Sequence, residues 1–248
     1  MGLPLSPTRS GGNGICPSGQ IGKGSSLKRS VMYPGSSPGR GTINMVMSKL
    51  VAFGCSFTYG HGLDDCWKGD GLAGDFPSKK AWPDLLAKSL TRECVNVSYP
   101  GCSNISILNN IINYKFDKSD LVVVLWTYSD RDLIFRLNND PINIASWMEN
   151  DLVKPWALAH NSYDLEIRSW FYIHHAYHYL QSIGIKFYFS RINLKNNIPE
   201  WAQDINFLKS DIQFLRKIYP PALDGSHPGE ACHREYAHLV WNEIIKTL

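Results

Sequence analysis

Leu121-Val122-Val123-Val124-Leu125-Trp126 is apolar at every position. A half-exposed strand would alternate and a helix would run longer, so this segment reads as a strand buried on both faces. Leu50-Val51-Ala52-Phe53, Val95-Asn96-Val97 and Ile185-Lys186-Phe187-Tyr188-Phe189 repeat the pattern. Helical spacing of apolar residues covers 82–90, 105–114 and 165–183, and again 230–247. Buried strands alternating with helices predict a parallel sheet covered on both sides. The expected fold class is α/β, a three-layer α/β/α sandwich with a mostly parallel central sheet. Segments 62–80 and 138–163 interrupt the alternation and read as long surface excursions. Loops of this kind at the carboxyl ends of parallel strands shape ligand sites.

The chain divides in two. Residues 1–46 are dominated by Gly, Ser and Pro and have no hydrophobic period that could build a core, so they are expected to be a disordered tail. The tail also reads as a non-native extension. Met45 or Met47 immediately precedes the first strand, and Gly35-Ser36-Ser37-Pro38-Gly39 is what the TψC arm of a tRNA gene would encode, which hints at a compact genome such as a bacteriophage's. Residues 47–248 are expected to form the single domain. Arg9, Lys23, Lys28, Arg29 and Arg40 lie in the tail without any acid; taking these five from the 25 basic residues leaves 20 against 22 acidic ones. A slightly acidic body gives no basis for nucleic-acid binding.

The six cysteines form no C-x-x-C pair and no zinc-finger spacing, and they are expected to be reduced. No apolar run of signal-peptide length precedes them, and none approaches the ~18 residues of a membrane span. A soluble, cytoplasmic protein is expected.

A serine hydroxyl becomes a nucleophile when a base takes its proton, and that base works best when a third group fixes its tautomer. Ser56 lies in Gly54-Cys55-Ser56-Phe57-Thr58-Tyr59-Gly60, where a strand ends and the flanking glycines permit a tight turn. A helix starting there would aim backbone N–H groups at an anion, and a plain serine N-cap would look the same. Asp224-Gly225-Ser226-His227-Pro228 sets a carboxylate three residues before an imidazole, just ahead of the last helix. At that spacing Asp224 can orient His227, although Asp in such a turn also forms ordinary Asx turns.

Taken together, these residues resemble those of the SGNH, or GDSL-type, hydrolase family. Ser56 matches its nucleophile after the first strand, and Asp224 with His227 matches its Asp-x-x-His pair before the C-terminal helix. Asn96-Val97-Ser98-Tyr99-Pro100-Gly101 matches the Asn and oxyanion-hole Gly after the second strand. The resemblance covers residues 49–248 and implies a flavodoxin-like sandwich, a Ser56–His227–Asp224 triad, and an oxyanion hole from the N–H groups of Ser56 and Gly101. Two departures stand out. Cys55 replaces the usual Asp, whose side chain does not react. After the third strand the family has Gly-x-Asn-Asp, whereas this chain has Trp126-Thr127-Tyr128-Ser129-Asp130-Arg131. The side-chain amide donor is missing there, and Thr127, Ser129 or Asn104 are the candidates to replace it. Arg131 is a candidate substrate-binding residue for a negative charge, with a solvated surface cation as the plainer reading.

His174 and His178 share a helix face at i, i+4, but no Glu follows His174, so hydrogen-bonded histidines are expected there and no metal ion. His233 and His238 read as surface residues, Trp82 as core, and Gly69-Asp70-Gly71 lacks the spacing of a phosphate or calcium loop. No cofactor is implied. The expected activity is ester hydrolysis through an acyl-enzyme, with a small ester or acylated glycan as substrate and O-acetyl groups on a glycan favoured. The rivals are an acyltransferase on the same fold and a non-catalytic glycan-binding module. Oligomeric state is not legible in the sequence.

Overall fold

Each apolar run becomes a strand. The computed structural model describes residues 48–69, 71–137, 139–148, 151, 153–192 and 198–248, so the tail expected at 1–46 and the Asp70 position lie outside the described residues. Strand β1 is Lys49–Phe53, β2 Glu93–Asn96, β3 Leu121–Trp126, β4 Arg131–Arg136, β5 Asn139–Ala145 and β6 Lys186–Arg191. Helix α1 is Ser56–Tyr59, α2 Trp82–Ser89, α3 Asn104–Asn113, α4 Val153–Ala159, α5 Ser162–Ser182, α6 Ile212–Ile218 and α7 Glu230–Ile244, with a short 3₁₀ turn at Glu200–Ala202.

The main sheet has the order β2-β1-β3-β6, and every pairing in it is parallel. Its central strand β3 is fully buried at all positions, which is why that segment could dispense with polar residues. Helix α2 packs on α7, and α3 on α5. Parallel strands between helical layers make the α/β sandwich that the alternation predicted. From β1 the chain crosses to β2 on one side and then to β3 on the other. The carboxyl ends of β1 and β3 therefore flank the point where strand order reverses, the place where ligands bind in open sheets of this type.

Helix boundaries have local causes. Pro83 sits in the first turn of α2, where a missing N–H costs nothing. The Ser103 hydroxyl caps α3 by accepting the Ser106 N–H, and Asn161 caps α5 by accepting that of Asp164. Helix α7 turns Cys232, His233, Tyr236, Val240 and Ile244 inward.

Three readings need correction. His233 is fully buried and not on the surface: it lies on the inward face of α7, where its Nδ1 accepts the Trp82 backbone N–H at 3.2 Å. That bond puts its proton on Nε2, and burial lowers its pKa to about 3. Second, part of the 138–163 excursion is regular, because β4 and β5 pair antiparallel as a separate two-stranded sheet and α4 follows. The alternation there was masked by polar residues such as Asn139, Asp140 and Asn143. Third, α6 had no counterpart in the expected helices; it starts on an Asp211 cap whose carboxylate accepts the N–H groups of Gln213 and Phe214.

Among the described residues no helix is long and apolar enough to cross a membrane. The described cysteines 55, 66, 94, 102 and 232 are free thiols.

Candidate active site

Ser56 opens α1 at the end of β1 and is 5% exposed. Two contacts fix this turn. The Asn96 side-chain amide donates to the Thr58 carbonyl at 2.8 Å, while its oxygen accepts the backbone N–H of Ser98 at 3.1 Å and the Ser98 hydroxyl. Asn96 is thus a brace between β2 and the Ser56 turn. Beyond β2 the chain stays bonded to β1, from Val97 N–H to Ala52 and from Tyr99 N–H to Gly54, which carries Gly101 toward Ser56. Gly101 has φ +81, and the space where a Cβ would stand is open. Among the described residues, neither its N–H nor that of Ser56 donates to a backbone acceptor.

Asp224 and His227 are brought together. The His227 Nδ1 hydrogen-bonds Asp224 Oδ2, and Asp224 Oδ1 accepts the backbone N–H groups of Ser226 and His227, each at 3.0 Å. Burial works against ionisation of this carboxyl but is outweighed by those two N–H bonds and by the imidazole, which hold its pKa at about 2. The Asp224 loop docks on the Ser56 turn: the Leu223 N–H donates to the Gly62 carbonyl at 2.9 Å. Gly62 has φ +86, and a Cβ there would stand 2.9 Å from Asp224 Oδ1, so glycine lets the two loops meet.

The depressed Asp224 pKa gives a pH prediction. An ionised carboxylate favours the folded state fully above its ordinary pKa of 3.8, and that benefit fades as pH falls toward about 2. The melting-temperature gap between the parent and Asp224→Asn is expected to shrink over that window; a gap that stays constant from pH 5 to 2 would show the carboxylate gains nothing from its partners.

The imidazole of His227 touches the edge of Phe57, the residue after Ser56, with ring centroids 5.7 Å apart. No hydrogen bond joins the Ser56 hydroxyl to His227 among the described residues; such bonds are often loose in unliganded sites and tighten around substrate. His61 was missed by the sequence reading, since nothing in its local pattern marks it. Its ring stacks on His227 at 4.5 Å and 2°, and the Trp67 ring lies tilted to it at 6.0 Å. Burial, and then the nearby His227, lower the His61 pKa, which favours its uncharged ring. His61, Asp224 and His227 each offer an atom within 4.8 Å of the others, as a metal site would. The two parallel rings point their in-plane lone pairs along planes that do not meet, so they cannot share one ion without turning.

The candidates for the missing donor fare differently. Asn104 is committed: its amide donates to the Thr127 carbonyl at 3.1 Å and the Ser169 hydroxyl at 3.0 Å, and its oxygen accepts the Thr127 N–H at 2.9 Å. It ties α3 to the end of β3 and to α5, and has no amide hydrogen left to swing toward a substrate. Thr127 is fully buried, its hydroxyl enclosed with no partner among the described residues. Ser129 is half-buried in the link from β3 to β4. Arg131 opens β4, with its guanidinium 5.1 Å from the Tyr128 ring centroid and 4.7 Å from that of Trp147. The set-aside histidines form a pair, His174 Nε2 lying 2.9 Å from His178 Nε2.

No protein-family model and no curated protein matches the chain. Solved structures do. A carbohydrate esterase, whose active site is described as having divergent catalytic and non-catalytic binding functions, aligns over 87% of this chain and 68% of its own, at 14% identity and a TM-score of 0.51. TesA aligns over 81% of this chain and 100% of its own, at 15% identity and 0.50. The acetyl xylan esterase Est2A from the rumen bacterium Butyrivibrio proteoclasticus aligns over 80% of this chain and 63% of its own, at 14% identity and 0.50. At these identities the likeness is one of architecture: the chain has the fold of the SGNH/GDSL-type hydrolases.

Proposed function

We propose that the protein is a serine esterase with Ser56 as nucleophile, His227 as base and Asp224 as the group that orients the base. The observation that carries this reading is the His227 imidazole, bonded through Nδ1 to a carboxylate with a pKa near 2 and lying against the residue that follows Ser56. With its Nδ1–H donating to Asp224, the ring presents an unprotonated Nε2, the tautomer a general base needs. Ser56 loses its proton to that nitrogen and attacks the ester carbonyl. The N–H groups of Ser56 and Gly101 stabilise the oxyanion, the alcohol leaves with the proton from His227, and water releases the acid from the acyl-enzyme.

The substrate reading is an acylated glycan, with O-acetyl groups favoured. Two solved structures of the same fold, described as a carbohydrate esterase and an acetyl xylan esterase, support it. The commitment of Asn104 to β3 and α5 favours a hole with fewer donors, and one lost donor costs about 10²–10³ in rate. Slow turnover of simple esters is therefore expected.

An activated serine is tested by a fluorophosphonate, which phosphonylates such a hydroxyl irreversibly. Peptide mapping by mass spectrometry is expected to find one adduct, on Ser56, together with loss of acetate-ester hydrolysis. An unlabelled Ser56 in protein that hydrolyses the ester would overturn the assignment.

A further inference from the structure

Two arginines from distant parts of the chain converge beside the candidate nucleophile. Arg131, at the start of β4, lies over the Tyr128 ring; Arg216, on α6, lies 5.7 Å from the Phe57 ring centroid. Phe57 and Tyr128 meet edge to face at 6.5 Å, and Phe57 also touches His227. The order across this wall is Arg131, Tyr128, Phe57, Arg216, and the Tyr128 hydroxyl feels the charge of both guanidinium groups.

Neither cation is neutralised. Among the described residues no carboxylate oxygen lies within 4.0 Å of either guanidinium, although Lys80, Arg168 and Arg234 all have such partners. Among the described residues Arg131 has a single hydrogen bond, from Nη1 to the Cys102 carbonyl at 3.4 Å, and its buried Nε has none. That carbonyl belongs to the residue after Gly101, so the charge stands at the proposed oxyanion hole. Aromatic rings hold a guanidinium in position without cancelling its charge. A half-buried arginine placed this way, in a body with more acids than bases, is poised for an anion from outside.

We infer that the natural ester carries a negative charge, read by Arg131 and Arg216: the substrate class is an acylated sugar acid or similar carboxylate-bearing ester. This inference deepens the esterase reading and rests on it for the reaction, though not for binding. The planar guanidinium fork suits a carboxylate, and each charge-assisted hydrogen bond lost is worth about ten- to a hundredfold.

The test compares acetylated galacturonate oligomers with the same oligomers after methyl esterification of their carboxyl groups. The parent is expected to prefer the anionic form in kcat/KM by about ten- to a hundredfold, a preference that falls as salt is raised. Arg131→Gln and Arg216→Gln should each shrink the ratio, and Arg→Lys at either position should restore part of it. A merely structural loss would lower both substrates together. Calorimetric binding of both oligomers to Ser56→Ala reads the inference without turnover, so a failed esterase reading leaves this arm intact. Equal binding and equal kcat/KM for the two oligomers, a ratio that survives both Gln variants, or the absence of both turnover and binding would overturn it.

Discussion

Ser56→Ala is expected to lower kcat for acetate-ester hydrolysis by about 10⁴–10⁶-fold while leaving the melting temperature nearly unchanged. The loss is large because nucleophile, base and orienting carboxylate act as a unit, and without the hydroxyl no acyl-enzyme forms. What remains is the modest rate from binding and oxyanion donors acting on water. Stability should hold because the Ser56 hydroxyl makes no hydrogen bond to a described residue, and removing an unpartnered polar group from a 5% exposed position is close to neutral. The turn is held by other means: Asn96 on the Thr58 carbonyl and the Leu223 N–H on Gly62. Steady-state kinetics beside a thermal melt is the measurement. A variant that keeps a tenth of the parent rate would remove Ser56 from the mechanism.

Asp224→Asn is expected to cost about 10³–10⁴ in kcat with a far smaller change in KM. The asparagine oxygen can still accept the backbone N–H groups of Ser226 and His227, so the loop keeps its shape. The amide nitrogen then faces His227 Nδ1 and donates to it, which forces the ring proton onto Nε2. A ring protonated there cannot accept the Ser56 proton. His61, stacked against His227, still fixes the plane of the ring, so the defect is one of tautomer rather than position. Measured kcat and KM, with the melting temperature at neutral pH as control, decide this. A loss below tenfold would make Asp224 a brace of its loop and leave His227 without an orienting partner.

The apolar runs were legible because burial on both faces of a parallel sheet leaves a strand no polar side. β1, β3 and β6 therefore fall within a residue or two of their expected positions, as do helices α2 and α3, while α7 starts where expected and ends three residues early. β4, β5 and α6 were not legible. Their patterns are short and polar, and they are stabilised by contacts such as the Ser106 hydroxyl on the Asn143 side chain and α6 against α7. His233 was misread for a related reason: a histidine on a helix looks polar until the partner that buries it, here Trp82 on α2, is known.

At the site the division follows sequence separation. Ser56 with its glycines, and Asp224 three residues before His227, are local patterns that the resemblance to the SGNH hydrolases joins into one proposed triad. The sequence by itself therefore pointed to a parallel α/β core, the places of its buried strands along the chain, and the residues proposed to react. Only the tertiary structure decided which donors are free and which are spent. Asn104 is used up by Thr127 and Ser169, His61 lies on His227, and Arg131 and Arg216 flank the Phe57–Tyr128 pair. Hydrogen-bond saturation and charge neutralisation depend on what lies within a few ångströms in space, and residues 131 and 216 become neighbours only when the chain has folded.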